Sequence, residues 1–184
     1  EPYLKIGLIL LNQKRYAEAA QAYQSALNIA PQEAQAYHNL GLCYALQGKI
    51  EEALNAYRQA IQLRPDSAET HYLMGELYAE RGDFEAAEGA YLQAIQRDAN
   101  SLKAYHSLAQ LYGKKGVKLE KAVEYAQKAI ALNPRSPRYY NTLALIFFQM
   151  GNYSQAEEAI RNAIALDPKN PSYQEGLKQI LQRK

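Results

Sequence analysis

An all-α chain of repeated helix–turn–helix units is predicted by three observations. A pattern of aromatic, small and apolar residues returns about every 34 residues, five times over. A turn signal, usually Gly, divides each copy into two stretches whose apolar residues have helical spacing. Pro closes four of the five copies, where it stops the second helix. Neither helix of such a unit can bury its apolar face without a neighbouring copy.

The clearest copy spans 34–67 and shows Tyr37, Leu40-Gly41, Tyr44, Gly48, Ala53, Tyr57, Ala60 and Pro65. The first copy, 1–33, opens with Pro2, which suits a helix start because its missing N–H is not needed there. Tyr3, Ile6-Gly7, Leu10, Ala19, Tyr23, Ala26 and Pro31 follow, and its turn is Gln13-Lys14, without the Gly. The third copy, 68–101, gives His71, Met74-Gly75, Tyr78, Gly82, Ala87, Tyr91 and Ala94. Ala99 replaces its closing Pro, so its second helix is expected to run longer or to fray.

The fourth copy, 102–136, gives Tyr105, Leu108-Ala109, Tyr112, Gly116, Ala122, Ala126, Ala129 and Pro134. Its one extra residue lies at the inter-helix turn, where length changes are tolerated. The fifth, 137–170, gives Tyr140, Leu143-Ala144, Phe147, Gly151, Ala156, Ile160, Ala163 and Pro168. A last helix over 171–183 follows. Lys178 stands there in the column of Gly41, so this helix reads as a solvating cap, or as half of a sixth repeat. The whole is expected to be a single domain, 1–184.

A Gly inside a helix costs roughly 1 kcal/mol relative to Ala. Gly7, Gly41 and Gly75 share one column, completed by Ala109 and Ala144. The compensating gain is close approach of helix axes, toward the short end of about 8–10 Å. Tyr rings fill the wider gaps beside them.

The totals agree with a packed chain. Hydrophobic residues make 48% of the chain and charged residues 22%, with 16 Tyr, 3 Phe and no Trp. Net charge is +2 without a block of like charges, so nucleic acid and membrane surfaces are excluded as expected partners. No apolar run is long enough to cross a bilayer. The one Cys, Cys43, rules out an internal disulfide and a Cys-based zinc cage, and reads as a small buried residue. The chain starts at Glu1 with no signal-peptide pattern, which favours the cytoplasm and is the start expected of a trimmed or mature chain.

These columns resemble the tetratricopeptide repeat family over essentially the whole chain. The resemblance implies an α-solenoid: helix–turn–helix pairs stacked into a right-handed superhelix. It implies that the first helices line a concave groove gripping peptides or partner helices, in scaffold or adaptor work rather than catalysis.

Helical periodicity then nominates the groove residues. The columns Leu4, His38, Tyr72, His106, Asn141 and Leu8, Leu42, Glu76, Gln110, Leu145 face away from the packing residues. A third column holds Glu1, Gln35, Glu69, Lys103 and Arg138. The expected contacts are His38, Tyr72, Glu76, Lys103, His106, Gln110, Arg138 and Asn141, with Tyr72 as anchor because aromatics dominate hot spots. Charge shifts from Glu69, Glu76 and Glu80 toward Lys103, Lys114 and Arg138, which suits a partner of mixed charge. The plainer alternative is a solvated polar face.

Leu4, Leu8 and Leu11 lie on a face with no preceding copy and are expected to be wet. They would hold a ligand, pack on an upstream segment, or make a homo-oligomer together with Leu177 and Leu181.

Some relatives grip chaperone C-terminal carboxylates with Lys and Asn at set groove positions. No register of this chain keeps more than one or two of those five contacts, so such tails are disfavoured as partners. His38, His71 and His106 are too far apart for one metal ion or acid–base pair. No catalytic grouping, phosphate-binding loop or cofactor motif is present, and no enzyme is expected.

Overall fold

The computed structural model describes residues 2–184, and among them eleven α-helices and no strand. They are α1 (Pro2–Asn12), α2 (Tyr16–Ile29), α3 (Ala34–Ala45), α4 (Ile50–Leu63), α5 (Ala68–Arg81), α6 (Phe84–Arg97), α7 (Leu102–Lys115), α8 (Leu119–Leu132), α9 (Pro137–Gln149), α10 (Tyr153–Leu166) and α11 (Pro171–Arg183). The chain forms two compact units, Glu1–Asp98 with α1–α6 and Ala99–Lys184 with α7–α11.

Each hairpin turns through a left-handed residue. Gly48, Gly82, Gly116 and Gly151 have φ between +68° and +82°, a region open to Gly without a Cβ penalty. In the first hairpin Lys14 takes the same conformation, at φ +60°. The extra residue of the fourth copy is absorbed the same way, by Lys118 at φ +49° ahead of α8.

α6 ends at Arg97 in the register of its counterparts, neither longer nor frayed, although Ala99 stands in place of Pro. Asp98 is extended, at φ −138°, and its N–H bonds the Ala94 carbonyl as in the other second helices. Arg97 Nε also donates to the Pro65 carbonyl at 3.1 Å, which ties that end to the preceding hairpin. The stop is made by the cap and this anchor, so Pro is dispensable there.

The core of the first unit is shared between neighbouring hairpins. Ala19, Ala20 and Tyr23 of α2 pack with Leu40 and Cys43 of α3 and Ala56 of α4. Ala53, Leu54 and Tyr57 of α4 pack with Met74 and Leu77 of α5. Cys43 is fully buried, and burial pushes its thiol up to about 11.

The Gly column is explained by what faces it. A Cβ on Gly7, Gly41 or Gly75 would stand 2.7, 2.6 or 2.5 Å from ring carbons of Tyr23, Tyr57 or Tyr91. Those distances are shorter than any carbon–carbon contact tolerates, so each Tyr lies flat on bare helix backbone. In the second unit the column holds Ala109 and Ala144, and the facing positions hold Ala126 and Ile160, all buried. Bulk removed from one helix is returned on the other. Tyr125, one position before Ala126, supplies the missing ring and lies 5.9 and 6.0 Å from the rings of Tyr105 and Tyr112.

Candidate functional site

Within the first unit, the open faces of α3 and α5 carry His38, Tyr72 and Glu76. His38 is half-buried, with Nδ1 hydrogen-bonded to Thr70 Oγ1 at 2.8 Å and its ring 5.8 Å from that of Tyr57. Burial lowers its pKa below the ordinary histidine value, Glu69 opposes the shift and Arg64 adds to it. Thr70 is 1% exposed and is held in turn by Ser67 Oγ at 2.7 Å. Around this chain lies a small polar depression of about 140 Å³, lined in part by Gln35, Arg64 and Glu69.

Tyr72 is half-buried, its ring 6.0 Å from that of Tyr91. The Tyr91 hydroxyl donates to Glu76 Oε1 at 2.5 Å. Glu76 therefore has a structural duty besides facing solvent. Leu42 holds the equivalent place beside Tyr57, whose buried hydroxyl has no hydrogen-bond partner. His71 fills its aromatic column half-buried, with Nε2 3.3 Å from the Pro65 carbonyl.

Within the second unit, the matching faces belong to α7 and α9. His106 is not on the open surface. It is 4% exposed, with Nε2 3.1 Å from Thr142 Oγ1 and its ring 4.7 Å from that of Tyr139. The Thr142 hydroxyl donates to the Arg138 carbonyl, so its oxygen accepts from His106 Nε2–H. That leaves Nδ1 as an acceptor, 3.4 Å from a guanidinium nitrogen of Arg138. Burial, then the neighbouring cation, lower the His106 pKa to about 4. The residue positions Arg138, which is exposed and also lies over the Tyr139 ring.

Gln110 and Asn141 are half-buried and flank a depression of about 330 Å³ between α7 and α9. Ala109, Gly113, Leu145, Ile146 and Phe148 give it an apolar lining, with Lys114 and Gln149 completing the rim. Lys103 is exposed near the start of α7. Sequence reasoning did not single out Thr70, Arg64, Ile146 or Phe148. Thr70 was findable, because a hydroxyl near the start of one first helix abuts the preceding one.

Leu4 and Leu11 are not left wet: both pack on the Ala19–Tyr23–Leu40–Cys43 cluster. Leu8 is 50% exposed, and so are Tyr3, Ile6 and Ile9 to similar degrees. On α11, Leu177 is half-buried and Leu181 is exposed. Among the described residues, no three His, Cys, Asp or Glu converge as metal ligands, and no helix is long and apolar enough to cross a membrane.

The chain is similar to known proteins along almost its full length. The family model described as TPR repeat matches residues 7–48 and 43–82, and models described as tetratricopeptide repeat match 68–101, 102–136 and 137–170. No curated protein sequence matches the chain. Among solved structures, a crystal structure of MamA is 25% identical, covering 91% of this chain and 98% of its own, at a TM-score of 0.83. YrrB, described as a TPR protein with an unusual peptide-binding site, is 18% identical over 96% of this chain and 91% of its own, at 0.83. A tetratricopeptide repeat protein from Parabacteroides merdae is 21% identical over 100% of this chain and 72% of its own, at 0.87. The chain belongs to the tetratricopeptide repeat family, a family of protein–protein interaction scaffolds.

Proposed function

We propose that the chain is a non-catalytic scaffold that holds a peptide or helix of a protein partner on the open faces of its first helices. The observation that carries this reading is the contrast between columns. Positions between helices repeat the same residue types, whereas the open faces vary from copy to copy and mix aromatic, amide and charged side chains. His38, Tyr72 and Glu76 supply such a face in one unit; Lys103, Gln110, Arg138 and Asn141 supply it in the other. His106 acts from beneath, through Arg138.

Affinity capture from the source lysate tests the reading. The wild type is compared with a variant carrying His38→Ala, Tyr72→Ala, Gln110→Ala and Asn141→Ala, matched in helicity and melting temperature. The expected result is a partner retained by the wild type and lost by the variant. A partner retained equally by both places binding elsewhere and removes the proposal.

A second reading rests on α1, which exposes four large apolar residues where each other helix exposes at most one. In it, copies of the chain associate through Leu8 and its neighbours, with Leu4 and Leu11 buttressing that helix from inside. Leu177 and Leu181 of α11 are the other candidate contacts.

A further inference from the structure

We infer that the depression between α7 and α9 takes one large apolar side chain of an acidic peptide segment, an inference that rests on the scaffold reading above. Its volume, about 330 Å³, is at the low end of ligand pockets, roughly 300–1,000 Å³, and leaves room for one large apolar side chain with the peptide backbone beside it. The lining is apolar, and Gly113 helps open it: a Cβ there would come within 3.3 Å of Ile146 Cγ1. Leu145, 57% exposed, offers apolar surface to a visitor. Gln110, Asn141 and Gln149 stand around the lining with amide donors and acceptors, the groups that an extended peptide backbone can use.

Charge identifies the rest of the partner. α7 and α9 carry Lys103, Lys114, Lys115 and Arg138 and no Asp or Glu. The small net charge of the chain hides a division between its units. Residues 99–184 hold 13 Lys and Arg against 6 Asp and Glu, a net +7. Residues 1–98 hold 8 against 13, a net −5. A basic segment would be repelled at this face and an acidic one steered to it. A polyanion without an apolar side chain would leave the lining empty.

Panning a library of random dodecapeptides against the full chain tests this, with selected peptides then labelled and measured by fluorescence anisotropy. The expected consensus is one Leu, Ile, Met or Phe flanked by Asp or Glu. Leu145→Gln, a neutral change at an exposed site, is expected to weaken binding about tenfold. Lys114→Gln is expected to weaken it about threefold, and raising NaCl from about 50 to about 300 mM severalfold. A basic or neutral consensus overturns the inference. So does an acidic consensus indifferent to Leu145→Gln. Peptides that answer only to His38→Ala and Tyr72→Ala sink the pocket and leave the scaffold reading standing. A library that yields no binder sinks both.

Discussion

At the scale of single residues, His106 is a polar group of α7 held at both ring nitrogens. Nε2–H is spent on Thr142, and Nδ1 faces a guanidinium, so a second proton has nowhere favourable to go. The unfolded chain takes up that proton near the ordinary value of about 6.5, and the folded chain only near 4. Stability is therefore full above about pH 6.5 and falls as pH drops toward 4, because only the unfolded state binds the proton. Urea midpoints are expected to decline between pH 7 and pH 5 by an amount worth on the order of 1–2 kcal/mol from this residue. In His106→Gln the decline should shrink by that share; an unchanged pH profile would refute the assignment. His38 and His71 shift in the same direction and add to the decline. The burial of His106 was not legible in the sequence. His38 and His106 share a column, but their hydroxyl partners, Thr70 and Thr142, lie two residues before and one after the corresponding places on the next first helix. Periodicity tells which face a residue takes, not which neighbour fixes its side chain.

At the scale of elements, the pairing of bare backbone with a Tyr ring sets how the helices of a hairpin meet. Gly41→Ala raises helix propensity by about 1 kcal/mol. It also drives a methyl into the buried ring of Tyr57, and overpacking of this kind costs typically about 1–3 kcal/mol. Net destabilisation is expected in urea unfolding. Adding Tyr57→Ile, which imitates the Ala144–Ile160 pair, should lower stability by less than the two single effects summed, by about 1 kcal/mol. Strict additivity would show that the two sites do not press on one another. This level was the most legible: a repeated residue is a repeated packing problem, so helix order and turns follow from the columns. The end of α6 escaped, because it depends on a contact from Arg97 to the preceding hairpin rather than on a local stop signal.

At the scale of the molecule, the period that reveals the fold conceals the partner. The residues proposed for binding differ between copies, so no column averages them, and the division into acidic and basic units disappears in a total of +2. The face of α1 belongs to this scale too. If copies associate through it, sedimentation velocity will show mass rising with concentration, and Leu8→Glu will return the chain to a monomer. A monomer at every concentration removes that reading. Leu8 is exposed enough for the substitution to leave the fold intact.

The pairing of Gly with Tyr in the first three hairpins, and of Ala with Ala or Ile in the last two, bears on how such a chain can grow and be reshuffled. A crossover between hairpins carries both members of a pair together and joins compatible surfaces. A crossover at the tight turn separates them, setting an Ala against a Tyr, which collides, or a Gly against an Ile, which leaves a hole. The heritable part is thus the whole hairpin rather than the helix, and the four-residue loops between hairpins are the seams at which this lineage can be cut and rejoined.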